Sequence, residues 1–354
     1  MRKIISIMLA AVMVLSLAAC GSNKTTDTSS SKDTSSQATA ASEPEESTPE
    51  PEESTPEPEE STPETITLTT YNGTGEVVEV EFPYDPQRIA AMDLAALDIL
   101  DNIGFGDRVV GVSKGSSIDY LQDYVTNDEL YNLGTIKQAD MEALMECEPD
   151  VIFIGGRMSS VYDELVKIAP VYMVKTDTEL GVVESTANNA KAIAAMFGVE
   201  DRVDALVSGY TARIEALQAV AEGKTAIVGM VNAGGFSLLG NDGRCSIIGV
   251  EIGFENVGVD AEVDTSAHGN EASFEFVLDK NPDYIFAMDR DAAIGTEGAQ
   301  LAAEVLDNEL VNKTDAALNG RVVVLEHSNV WYTAEGGITA LGIMLSDLEN
   351  ALLK

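Results

Sequence analysis

Apolar positions along the chain fall into short unbroken runs separated by helical patterns. Ile89-Ala-Ala-Met92, Val109 to Val112, Val151 to Ile154 and Val171 to Val174 are runs of strand length, the pattern of strands covered on both faces. A second series follows at Thr225 to Val231, Tyr284 to Ala287 and Val322 to Leu325, and Leu94 to Ile103 reads as a helix. Strands alternating with helices predict parallel sheets clothed by helices, an α/β fold. Between the two series, Val203, Leu206, Val207, Tyr210, Ile214 and Leu217 recur at helical spacing, and Gly223 closes the pattern. This predicts two Rossmann-like lobes, residues 65–199 and 224–354, joined by one long rigid helix over residues 200–223, with a ligand cleft between them.

One segment occurs once in each half. Glu142-Ala-Leu-Met-Glu-Cys-Glu-Pro-Asp-Val-Ile-Phe-Ile-Gly-Gly-Arg157 aligns without gaps on Glu275-Phe-Val-Leu-Asp-Lys-Asn-Pro-Asp-Tyr-Ile-Phe-Ala-Met-Asp-Arg290. Both copies read as helix, Pro-Asp turn and buried strand. Each sets an arginine just past the strand's carboxyl end, where open α/β sheets bind ligands. Two facing lobes would bring Arg157 and Arg290 to one cleft, with Asp289 a candidate partner for Arg290.

The ends of the chain change the picture. Arg2 and Lys3 precede an apolar run from Ile4 to Leu17 that is too short to span a bilayer. It closes on Leu17-Ala18-Ala19-Cys20, the setting in which a lipoprotein signal peptide (residues 1–19) is removed and Cys20 carries the lipid. Residues 20–64 are Ser, Thr, Pro and Glu, and Ser47-Thr-Pro-Glu-Pro-Glu-Glu53 repeats from Ser54. Such a segment cannot bury enough apolar surface to order itself, and reads as an extended acidic tether. The chain carries a net charge of −39; with the leader at +2 and the tether at −10, the folded part is left at −31. That excludes nucleic acid as a partner. Cys147 and Cys245 are the cysteines left besides Cys20; Cys147 reads as a buried thiol, and no spacing demands a disulfide.

From about Thr67 onward the chain resembles the iron-siderophore branch of the ABC-importer substrate-binding proteins, of the class III periplasmic-binding-protein family. The resemblance rests on Pro86-Gln-Arg-Ile-Ala-Ala-Met-Asp93, Gly134-Thr-Ile-Lys-Gln-Ala-Asp-Met-Glu142, Pro149 to Arg157, Ile168-Ala-Pro170, Asn281 to Arg290, Asn308-Glu-Leu310 and Trp331-Tyr-Thr-Ala-Glu-Gly-Gly337. It implies two lobes that close little on their ligand, and a solute-binding role with no intrinsic cofactor. The Gly-Arg, Asp-Arg and Trp-Tyr elements are similar to the subgroup that takes catecholate siderophores. In that likeness Lys137, Arg157, Arg244 and Arg290 form a cationic ligand site, suited to the phenolate oxygens of ferric catecholates. His268 and Tyr332 would bind iron directly when the ligand leaves coordination sites open, with His268 on a polar loop over Val259 to Asn270. Glu142 and Glu275 would dock on the permease subunits of the importer. His327 matches no role and reads as surface. The expected protein is a monomer working outside the cytoplasm, anchored to the cell membrane through lipid.

Rival readings have their own residues. Gly111-Val-Ser113-Lys-Gly115 after a strand fits a nucleophile elbow and would make Ser113 the nucleophile of an esterase, but no oxyanion segment accompanies it. A free zinc or manganese receptor needs several histidines, and the chain has 2. Haem, on Tyr332, His268 or a methionine, is the nearer rival; cobalamin would leave the arginines unexplained.

Overall fold

The computed structural model describes residues 63–353, apart from 117, 178, 260–269 and 272. Strands β1 (Thr65–Tyr71) and β2 (Val77–Pro83) form an antiparallel hairpin. Its Thr70 Oγ1 accepts the Met173 N–H at 2.9 Å, which docks the hairpin on the first sheet. That sheet is parallel throughout. It comprises β3 (Ile89–Ala91), β4 (Val109–Val112), β5 (Tyr131–Asn132), β8 (Val151–Gly155) and β9 (Val171–Val174), in the order β5-β4-β3-β8-β9. Two short strands between β5 and β8, β6 (Gly134–Thr135) and β7 (Gln138–Ala139), form a small hairpin of their own.

The second sheet is mixed rather than wholly parallel. It holds β10 (Thr225–Asn232), β11 (Gly235–Leu238), β12 (Glu255–Asn256), β13 (Asn270–Glu271), β14 (Tyr284–Asp289) and β15 (Val322–Val324). β10, β12, β14 and β15 run parallel, whereas β11 folds back on β10 and β13 pairs antiparallel with β11. Ala233 and Gly234, both at positive φ, make the tight reversal between β10 and β11.

Local chemistry places these elements. Asp93 caps the helix Leu94–Ile103, accepting the Ala95 and Ala96 N–H groups at 2.9 and 3.2 Å, and Gly104 ends that helix at φ 87°. The Pro-Asp turns of the repeated segment do the same work twice. Asp150 accepts the Gln87 and Arg88 N–H groups before β3, and Asp283 accepts the Thr225 N–H at the start of β10. Each carboxylate thus pins the neighbouring strand into register.

The expected strut over 200–223 is interrupted. It consists of Asp201–Val207 and Tyr210–Ala221, parted at Ser208 and Gly209. Both parting residues keep right-handed helical dihedrals, and Gly209 is the weak point because glycine is a poor helix former. Val203, Ile214 and Leu217 on its apolar face are buried, as the spacing predicts. The last helix, Ile338–Leu352, packs against both Leu94–Ile103 and Tyr210–Ala221. One apolar core therefore runs through both lobes, from Phe153 beneath the first sheet to Phe286 beneath the second. Smaller clusters fill the outer face of each sheet. No helix among the described residues is long and apolar enough to cross a membrane.

Candidate functional site

The repeated segment delivers its arginines as the alignment predicts, with one refinement of position. β8 ends at Gly155, so Arg157 stands two residues beyond it, whereas β14 runs on to Asp289 and Arg290 follows at once. Arg244 comes from the turn before the helix Ile247–Val250. All three meet at Tyr332, a buried residue of the helix Ser328–Thr333. Arg157 Nη2 donates to the Tyr332 carbonyl at 2.6 Å, and Arg244 Nε reaches the same oxygen at 3.4 Å. Arg290 Nε donates to the Tyr332 phenolic oxygen at 3.1 Å. The three guanidinium carbons lie 5.3, 4.7 and 5.6 Å from the centre of the tyrosine ring, within cation–π range.

This crowding sets the electrostatics. Burial alone would raise the Tyr332 phenol, but the Arg290 hydrogen bond and the charges of Arg290, Arg244 and Lys137 outweigh it and hold the phenol below its ordinary value. Lys137, exposed on the β6–β7 turn, belongs to the site through that long-range effect. Burial and the neighbouring Arg157 charge lower the Arg244 guanidinium, outweighing the pull of Tyr332 and Glu335. The cleft here measures about 340 Å³ and is walled by Asp93, Arg157, Lys175, Arg244, Tyr332 and Glu335 among others.

Asp289 is not the partner of Arg290. Its two oxygens accept the Ala292 and Ala302 N–H groups at 2.9 and 2.6 Å, so it is a buried cap. Arg290 instead donates to Asn232 Oδ1 at 2.8 Å and lies 3.8 Å from Asp291. Nor is Ser113 a nucleophile. Its buried hydroxyl donates to the Met92 carbonyl at 3.2 Å, and the elbow glycines make room for side chains. A Cβ on Gly111 would lie 2.9 Å from Leu133, and one on Gly115 2.6 Å from Thr135. His327 is half-exposed but engaged: its Nδ1 is 2.7 Å from Asp347 Oδ1. Cys147 and Cys245 are both buried free thiols. His268 and Cys20 lie outside the described residues. Glu142 and Glu275 are exposed and far along the chain from the arginines they precede; each is the second residue of its helix, after a capped start at Asp140 and Ser273.

Two site residues escape sequence reasoning. Glu335 sits beneath the arginines, accepting the Cys245 N–H at 3.2 Å, and burial pushes its carboxyl up to about 7 against the pull of that bond, Arg244 and Arg157. Lys175 follows β9 directly. A glutamate and a lysine in a chain rich in charge carry no pattern of their own; only the Trp331 to Gly337 motif hinted at the former.

A profile of the periplasmic binding protein family matches residues 89–328. This chain belongs to that family. The petrobactin-binding protein YclQ of Bacillus subtilis is 31% identical over 274 residues, spanning 77% of this periplasmic binding protein and 84% of YclQ. Its crystal structure superposes with a TM-score of 0.74 over 82% of this chain and 99% of that one, at 30% identity. The catecholate-siderophore binding protein VctP of Vibrio cholerae gives a TM-score of 0.72 at 29% identity, over 80% of this chain and all of VctP (100%). The ferric-anguibactin-binding protein FatB of Vibrio anguillarum is 29% identical over 272 residues, 74% of this chain and 81% of FatB. Membership makes this periplasmic binding protein a solute binder rather than an enzyme, and places its work outside the cytoplasm.

Proposed function

We propose that this periplasmic binding protein captures a ferric siderophore of catecholate type and hands it to the permease subunits of an ABC importer, held to the membrane by lipid on Cys20. The observation that carries the reading is the convergence of Arg157, Arg244 and Arg290 on Tyr332 at the carboxyl ends of two facing sheets. Relatives whose names specify petrobactin, anguibactin and catecholate siderophores support it.

The chemistry follows from the geometry. A ferric catecholate is an anion whose phenolate oxygens fan outward as acceptors. Guanidinium groups supply several in-plane donors and stay charged. In a partly dry cleft their bonds to an anion gain strength. Tyr332, with its phenol held low, is prepared to release its proton and become an oxygen donor to iron(III) where a tetradentate ligand leaves coordination sites vacant. His268 would be the second such donor. The charged side chains of Arg157, Lys175 and Arg244 in the lining suit a compact anion better than the broad apolar face of haem or cobalamin.

Trp331 offers the test. Its buried indole donates to Asp347 Oδ2 at 2.9 Å, and it directly precedes Tyr332 in the helix Ser328–Thr333. A ferric bis-catecholate should quench Trp331 fluorescence, and haemin or cobalamin should not. No response to any ferric catecholate would overturn the reading. His268→Ala should weaken a tetradentate ferric catecholate while sparing a hexadentate one; equal loss on both would remove His268 from the iron.

A further inference from the structure

At the end of β9, one strand over from the strand that delivers Arg157, stands Lys175. Its backbone is tightly held. Asn189 Nδ2 donates to the Lys175 carbonyl at 2.9 Å while Asn189 Oδ1 accepts from the Tyr172 hydroxyl at 3.2 Å. Two residues on, Ser185 Oγ accepts the Asp177 N–H at 2.9 Å and donates to the Asp177 carbonyl at 3.1 Å. Asn189 and Ser185 are themselves buried, so this wall is built into the fold.

The side chain is held otherwise. Its ammonium rests 4.5 Å from the centre of the Tyr71 ring, and among the described residues it forms no ion pair. Lys175 also lines two spaces at once. One is the cationic cleft; the other is a neighbouring cavity of about 330 Å³ bounded by Tyr71, Val77, Tyr172, Asp177 and Asn188 among others. The lysine is the partition between them.

An ammonium resting on an accessible aromatic face is held more weakly than one bonded to an anionic oxygen. An anion arriving in the cleft therefore draws Lys175 off Tyr71 and uncovers the ring as a stacking surface. A flat aromatic face beside a movable cation is complementary to one chemistry in particular: an aromatic ring that carries anionic oxygens. Asp177, also in the lining, disfavours anionic oxygens on its own side and so favours their facing Lys175 and the cleft, and Val77 and Leu180 add apolar surface for the ring.

We propose that Lys175 and Tyr71 form a subsite for a third catecholate ring, the ring that a hexadentate ferric ligand has and a tetradentate one lacks. This rests on the catecholate reading above. Trp331 titrations of the full-length protein with a ferric tris-catecholate and a ferric bis-catecholate test it. Lys175→Ala should weaken the tris-catecholate about tenfold or more, the loss of one charge-assisted bond, and the bis-catecholate less than about twofold. Lys175→Arg should recover most of the loss, Tyr71→Leu should reproduce its selectivity, and Arg157→Ala should weaken both ligands. Equal loss on the two ligands, or none on the tris-catecholate, overturns the subsite, as does a wild-type protein that binds the bis-catecholate alone. A wild-type protein that binds neither overturns the catecholate reading itself, and the subsite with it.

Discussion

Tyr332 is the residue on which the site turns, and its setting shows how the fold holds three cations together. Three guanidinium groups gathered in one place repel each other, and the ring face, the carbonyl and the phenolic oxygen of one tyrosine supply the electron density that offsets this. Glu335 lies in the same cleft. Its carboxyl holds its proton more tightly in the folded protein than in the unfolded chain, because burial dominates over the Cys245 N–H and the Arg244 and Arg157 charges. The sign follows: the native state binds the extra proton, so this residue's contribution to stability falls as pH rises from the ordinary carboxylate range to about 7. Glu335→Gln should therefore be more stable than wild type at about pH 8, by at most about 3 kcal/mol, and the gap should close near about pH 4.5. Urea midpoints across that range check it; a gap independent of pH would mean that Glu335 titrates as an exposed carboxyl. The arginines were legible in the sequence because two of them repeat with their strands. Glu335 was not, since its character comes from burial against Arg244, Cys245 and Arg157, which are distant in sequence and brought near only by the fold.

Among the elements, strands that are continuous apolar runs were legible, the half-exposed β15 included, and strands that alternate with polar residues were not. β8 is an unbroken apolar run and β14 is one up to its last residue, Asp289, whereas the β1–β2 hairpin buries only Thr70 and Phe82. The strut's apolar face was legible, but its break at Gly209 was not, because a helical stripe continues across a bend. The meaning of the Gly336-Gly337 pair also waited on tertiary structure. Asp98, buried on the helix Leu94–Ile103, accepts the Thr339 and Ala340 N–H groups at 3.0 and 2.9 Å and so caps the last helix across the lobes. A Cβ on Gly337 would lie 2.1 Å from the Asp98 carboxylate. The same last helix carries Asp347, which holds the indole of Trp331 beside Tyr332. One buried carboxylate thus ties the first lobe to the helix that holds Trp331 next to Tyr332. Asp98→Ala should cost about 2 kcal/mol or more, as a lost cap that also strands the buried Ala340 N–H and the part-buried Thr339 N–H. Asp98→Asn, which keeps one acceptor, should cost less. Urea denaturation would measure both, and an unchanged midpoint for Asp98→Ala would show that the cap contributes nothing.

For the whole molecule, the core that runs from Phe153 to Phe286 through both lobes matters more than either lobe alone. A hinge needs a seam with few apolar contacts; here the split strut and the last helix fill that seam. If such a frame hands its solute to a permease as proposed, the permease must recognise fixed features of both lobes. Glu142 and Glu275 are such features. They are equivalent in the repeated segment, exposed, and each the second residue of a capped helix. A helix start also favours a carboxylate through the helix dipole, worth at most about 1 kcal/mol at an exposed position. The two accounts part experimentally. If the pair docks the permease, Glu142→Ala and Glu275→Ala should each leave ferric-ligand affinity within about twofold in Trp331 titrations and stability within about 1 kcal/mol. Each should nevertheless cut cellular uptake of labelled ferric ligand, with the double variant near background. Full uptake by the double variant would return both glutamates to the helix dipole. Loss of uptake from one variant alone would confine docking to a single lobe.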